Sequence, residues 1–188
     1  MNRLTMETAR ELLQKTTTQP QLLQHALAVS AAMGAMARHF GAEAEHWEAV
    51  GFLHDYDYQQ YPEEHLRHTE APLCEAGVDE ESIRAILAHG WGVCSDVEPL
   101  TEMEKSLYVV DAASALVGAA AKMRPTGISD LQASSVTKKF KDRSFAATVN
   151  RETINKGAAM LGMERAEIFT LCIEGMRPHA IRLGITAK

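Results

Sequence analysis

Three residues able to bind a metal or move a proton occupy places where helical periodicity calls for an apolar side chain. His25 lies within the stripe Leu22, Ala26, Val29, Met33 and Met36. His54 shares a face with Trp47 and Val50. Asp111 stands among Val109, Val110, Ala112 and Ala113. A buried, unpaired carboxylate is costly enough to require a cation, a set of hydrogen bonds or a proton. Taken singly, each residue has an ordinary reading: a hydrogen-bonded core histidine, a helix cap, half of an ion pair. Three helices each turning such a residue inward point instead to a shared metal ion, because bundles build metal centres from facing helices.

The elements that must position these residues are helices. Ala, Leu, Met and Glu are plentiful, aromatic residues are few, and no segment sustains period-2 alternation. The pattern predicts a short helix from Thr5 to about Thr16, then one that admits Pro20 in its first turn and runs to about Phe40, before Gly41. A third helix is predicted over about 43–54, and a fourth begins near Pro62 and ends at Gly77. Asp79 is the expected N-cap of a helix over about 80–89, closed by Gly90. Thr101 followed by Glu104 is a capping-box pattern that opens a long helix to about Met123. The run Arg124-Pro125-Thr126-Gly127 breaks it, and further helices are expected in SVTKKFKD, VNRETINKGAAML and from Glu164 to about Arg182. The fold class is all-α. The 188 residues read as a single compact domain, with a core over about 20–123 and a C-terminal helical extension over about 124–188.

Composition narrows the function. A net charge of −6 argues against a dedicated binder of nucleic-acid polymers, which would carry a basic face, and gives no support for binding an anionic membrane. Cys74, Cys94 and Cys172 are odd in number and form no CxxC pair, which suits reduced thiols more than disulfides or a zinc knuckle. The polar start (MNRLTMETARELLQK) has no signal-peptide core, and the longest apolar run, Tyr108–Ala121, contains Asp111. A soluble, cytoplasmic protein is expected.

With these residues in view, the chain resembles the HD superfamily of metal-dependent phosphohydrolases. The ordered pattern is His25, then Leu53-His54-Asp55 at a helix end 29 residues later, then Asp111 in Val109-Val110-Asp111-Ala112. The stretches YPEEH, AHGWG, DAASALVGAAAKMRP and KKFKDRSFAATVNRE are similar to a subgroup of small HD-domain proteins. The resemblance implies an HD-type helical domain in which His25, His54, Asp55 and Asp111 bind the metal. Imidazoles and carboxylates together favour divalent Mn, Fe, Co, Ni or Zn and also accommodate Mg. Binuclear relatives carry two further histidines between the His-Asp pair and the last Asp. His65 and His89 fit that order, with His68 the competitor of His65, so the resemblance allows one ion or two. Asp55 would bridge two.

The resemblance also implies catalysis by metal-activated water on a small phosphorylated molecule, such as a nucleotide or phosphate ester. Asp55 is the first catalytic candidate. Asp57 is the second, standing in Tyr56-Asp57-Tyr58 where many members carry Gly-Lys or Glu; it would orient a ligand histidine or a water, or cap the turn. Arg124, Lys139 and Arg151 are candidate phosphate contacts, although Arg124 lies roughly 20 Å from Asp111 along a straight helix. Other expectations are a di-iron HD-type oxygenase and a non-catalytic nucleotide-binding module. Homodimerisation, common among small helical enzymes, is compatible with the sequence.

Overall fold

The computed structural model describes residues 2–188. Ten α-helices are present among them: α1 (Met6–Thr16), α2 (Pro20–His39), α3 (Ala44–Leu53), α4 (Glu70–Glu75), α5 (Glu80–Ala88), α6 (Glu102–Lys122), α7 (Ala133–Lys141), α8 (Arg151–Leu161), α9 (Arg165–Met176) and α10 (Ala180–Leu183). The described residues contain no strand, only two isolated bridges. No helix among the described residues is long and apolar enough to cross a membrane.

Two helices organise the interior. From Ala26 to Ala37 every residue of α2 is buried, which a surface helix with a single apolar stripe could not achieve. Its many alanines let α3, α6 and α9 pack closely around it. The second is α6, buried along most of its length and flanked by α5, α8 and α9. One cluster of buried apolar side chains runs from Leu4 to Ile185, so residues 20–123 and the C-terminal helices share one core. Full burial of a Leu, Ile or Phe in it, as at Leu53, Leu107 and Phe169, contributes about 1.5–3 kcal/mol.

Close approach fixes two helix pairs. A Cβ on Gly175 would stand 2.2 Å from the Ala31 carbonyl oxygen, so α9 lies against the backbone of α2. A Cβ on Gly157 would stand 2.5 Å from the Val109 Cβ, so α8 presses onto α6 two residues before Asp111.

The caps read in the sequence are in place. Thr101 Oγ1 accepts from the Glu104 amide at 3.3 Å, and Glu104 accepts in return from the amides of Leu100 (2.6 Å) and Thr101 (3.1 Å). Arg84 of α5 pairs with the same carboxylate, tying α5 to α6. Asp79 caps α5 by accepting from the Ser82 amide at 2.9 Å and the Ser82 hydroxyl at 2.7 Å. It also accepts from the Leu4 amide at 2.8 Å, so one carboxylate joins the N-terminal segment to α5.

Two helices expected from periodicity are interrupted. Between Pro62 and Gly77 the chain forms a short 3-10 turn (Pro62–Glu64), a series of turns and then α4. Asp57 draws the amides of Leu66 and His68 onto its carboxylate, each at 3.1 Å, and Leu66 takes a positive φ of 71°, which no helix interior tolerates. The helix expected over 164–182 stops at Met176. Pro178 offers no amide hydrogen there, and a 3-10 turn over Arg177–His179 leads into α10.

Burial raises the Asp79 carboxyl, but the donors of Ser82 and Leu4 outweigh it and hold the group below its ordinary value. A depressed folded pKa stabilises the fold above the unfolded carboxylate value and loses that contribution as pH falls through the folded one. Asp79→Ala should therefore destabilise the protein by about 1 kcal/mol at pH 7. The gap between wild type and variant should narrow as pH drops below about 4, as followed by urea denaturation at each pH.

Candidate metal centre

Six imidazole and carboxylate side chains from five segments meet beside the first turns of α2 and the middle of α6. His25 comes from α2, His54 and Asp55 from the chain just after α3, and Asp111 from the middle of α6. His65 comes from the turns after residue 64, and His89 follows directly on α5. The ligating atoms fall into two groups: His25, His54 and Asp55, and Asp55, His65 and His89. Within each group these atoms lie no more than 4.8 Å apart.

Asp55 belongs to both groups through different oxygens. Its Oδ2 lies 3.3 Å from His54 Nε2 and 3.7 Å from His25 Nε2. Its Oδ1 lies 3.2 Å from His65 Nε2 and 3.8 Å from His89 Nε2. Asp111 joins the first group, with Oδ1 2.9 Å from His25 Nε2 and 3.7 Å from His54 Nε2.

The far side of three rings decides what the near side offers. His54 Nδ1 donates to the Gly51 carbonyl at 2.8 Å, and His89 Nδ1 donates to the Ile86 carbonyl at 2.5 Å. His65 Nδ1 donates to Asp57 Oδ1 at 2.7 Å. Carbonyls and a carboxylate can only accept, so the proton of each neutral ring sits on Nδ1 and the Nε2 lone pair faces the centre. Metal-binding histidines are oriented in this way by partners behind them. His54 Nε2 is buried with no hydrogen-bond partner, and His65 Nε2 and His89 Nε2 face each other at 3.2 Å, where two lone pairs would repel. A cation in each group removes its difficulty, as a proton on His65 would for its own pair, and the nitrogen and oxygen donors suit a borderline divalent ion. The side chains present therefore fit a metal.

Protonation shows the same demand for positive charge. Burial works against a proton on His54, but the carboxylates of Asp55 and Asp111 prevail and raise it well above its ordinary value. Burial likewise opposes a proton on His65, and Asp55 and Asp57 raise it to about 9. His89 is lowered to about 4 by burial and by the positive charge of His54 and His65. Asp55 and Asp111 lie below the usual carboxylate range: burial raises both, and the neighbouring histidines more than offset it. The carboxylates thus draw protons onto the His54 and His65 rings when no metal neutralises them, and a bound ion would displace those protons.

Asp57 is buried behind His65, where it holds the ring and the turn that carries it. That is the orienting and capping place considered from sequence. His68 is directed elsewhere: it bonds Glu64 at 3.0 Å and stacks on Tyr61. His65, not its competitor, joins the cluster.

A cavity of about 400 Å³ opens against the ligands. Tyr58, Thr148, Asn150 and Thr153 supply neutral polar groups to its wall, and Leu22, Ala115 and Val149 supply apolar ones. The three cations expected near a phosphate do not line it. Arg124 pairs with Asp130 at 2.9 Å. The Lys139 ammonium lies 4.7 Å from the centre of the Phe145 ring. Arg151 is buried, and its guanidinium donates to the carbonyls of Asp142, Phe145, Ala146 and Val149, where it closes the loop before α8. Sequence reading missed Tyr58, Thr148, Asn150 and Thr153. The one local signal was Asn150 as a helix N-cap, which it is: Oδ1 accepts from the amides of Glu152 and Thr153.

Asp57→Asn should lower metal affinity in the His65–His89 group by roughly 10- to 100-fold, with little effect on the His25–His54 group. Asp55→Ala should weaken both. Equilibrium dialysis with elemental analysis checks the pattern, and equal losses from the two substitutions would contradict it.

No family model, curated protein or solved structure matches this chain.

Proposed function

We propose that this chain is a metal-dependent phosphohydrolase of HD type, acting on a small phosphorylated molecule. The observation that carries the reading is the pair of ligand groups sharing Asp55, with three imidazoles locked from behind so that Nε2 points inward. The sequence resemblance of His25, His54-Asp55 and Asp111 supports it independently.

A divalent ion, when bound, supplies charge stabilisation at phosphorus and lowers the pKa of water, which hydrolysis of a phosphate ester requires. The protein's own contribution is to hold and orient. His25, His54, Asp55 and Asp111 would retain one ion, and Asp55 with His65 and His89 a second. Asp57 fixes the His65 ring so that Nε2 stays available. The cavity beside them admits a substrate of modest size, and its Leu22, Ala115 and Val149 wall limits the water around it. Water adds at phosphorus, the ester P–O bond breaks, and an alcohol and inorganic phosphate leave. The free cysteines suit a reducing compartment, and the reading places the enzyme in the cytoplasm.

The shared carboxylate with flanking histidines also suits a di-iron oxygenase, the second reading. Iron content with oxygen consumption would favour that reading, whereas phosphate release under Mn, Co, Ni, Zn or Mg without oxygen uptake favours hydrolysis.

Asp111→Asn and His54→Ala should each reduce phosphate release by at least about 100-fold and lower bound metal while the helical circular dichroism signal persists. The check is a phosphatase and phosphodiesterase screen with each metal, beside elemental analysis. Full activity in a variant stripped of metal would falsify the proposal.

A further inference from the structure

A second cavity adjoins the one at the metal centre. This smaller chamber, of about 120 Å³, shares Val93, Asn150 and Thr153 with it. None of the six metal-type ligands borders this second chamber; its walls include Trp91, Tyr108, Glu152 and Lys156. The Trp91 ring lies 6.0 Å from that of Tyr108, which is buried, so the indole is backed by a fixed neighbour. Glu152 and Lys156 are one turn apart on α8, and both are exposed and border the chamber.

The charges of the two chambers differ in kind. No Lys or Arg lines the larger one, so the metal centre alone can meet a phosphoryl charge there. At the remote end one ammonium and one carboxylate, a helical turn apart, border the chamber and sum to zero. An anionic group would be drawn to Lys156 and repelled by Glu152, and a cation the reverse. An uncharged group with an acceptor beside a donor satisfies both, since an ammonium only donates and a carboxylate only accepts. A flat ring suits the aromatic wall.

Resting on the phosphohydrolase reading, we propose that the two chambers hold the two ends of one substrate, a phosphate monoester of a planar, uncharged, hydrogen-bonding alcohol. Its phosphoryl group lies at the metal centre. Its flat head lies between Trp91, Glu152 and Lys156, and the link between them passes the shared wall of Asn150 and Thr153. Lys156 and Glu152 are then specificity determinants of the head and take no part in bond breaking.

The test uses the full-length protein freed of metal by chelation, so that binding is read without turnover. Trp47 and Trp91 are the only indoles, and Trp47→Phe leaves Trp91 as the sole reporter. Uridine serves as a neutral alcohol with a planar head that has adjacent donor and acceptor groups, and glycerol as one without a ring. Uridine should quench Trp91 fluorescence saturably and glycerol should not, and Lys156→Met or Glu152→Met should weaken uridine binding by about 10-fold. In metal-loaded protein, inorganic phosphate should bind wild type and Lys156→Met equally by calorimetry. The proposal is overturned if uridine produces no saturable quenching, if the quenching survives both substitutions, or if Lys156→Met weakens phosphate. Phosphate binding without uridine binding sinks the head subsite alone. Uridine binding without phosphate binding sinks the phosphohydrolase reading and the two-ended substrate with it.

Discussion

The two oxygens of Asp55 face different partners, and the arrangement around them follows from that division. One oxygen looks toward His25 and His54, the other toward His65 and His89. A single carboxylate with four imidazoles about it, and a second carboxylate from α6 alongside, concentrates acceptors in a small, partly buried space. Such a cluster is unfavourable unless positive charge enters it. Protons on His54 and His65 are one form of that charge and a divalent ion is another. The helices can be understood as the means of bringing these groups together against their mutual repulsion.

The convergence depends on segments that are not regular helix. His54 and Asp55 lie just beyond the end of α3, His89 just beyond α5, and His65 in the turns before α4. Main-chain carbonyls one turn back, those of Gly51 and Ile86, steady the first and third of these imidazoles. For His65 no helix is available, and Asp57 takes over the task by binding the ring and two amides of the same turn. The fold thus uses one device three times, an acceptor behind the ring, with a side chain replacing the backbone where the chain leaves its helix.

Much of this was legible in the residues. His25, His54 and Asp111 stood out because each broke an apolar stripe, and the structure brings them to one place. Thr101, Glu104 and Asp79 announced their caps because a cap is a local event. The turns at 65–69 were not legible, since the local pattern favours helix and only the distant pull of Asp57 undoes it. Arg151 misled for a related reason. A guanidinium beside a basic, aromatic stretch suggests an anion site, and no local feature reveals four carbonyls folding back upon it. The neutral cavity wall was hidden because Thr148, Asn150 and Thr153 acquire their neighbourhood only after α8 docks on α6.

That docking leaves the molecule with an adjustable dimension. The wall formed by Thr153, Asn150 and the chain before them rides on α8, and α8 sits as near to α6 as it does because residue 157 has no side-chain carbon to hold it off from Val109. The ligands ride on other elements. A single added methyl at that contact would press α8 away from α6 and act first on the wall that α8 carries. On the proposed function, the breadth of molecules admitted would be set by α8, and the chemistry by side chains on other elements.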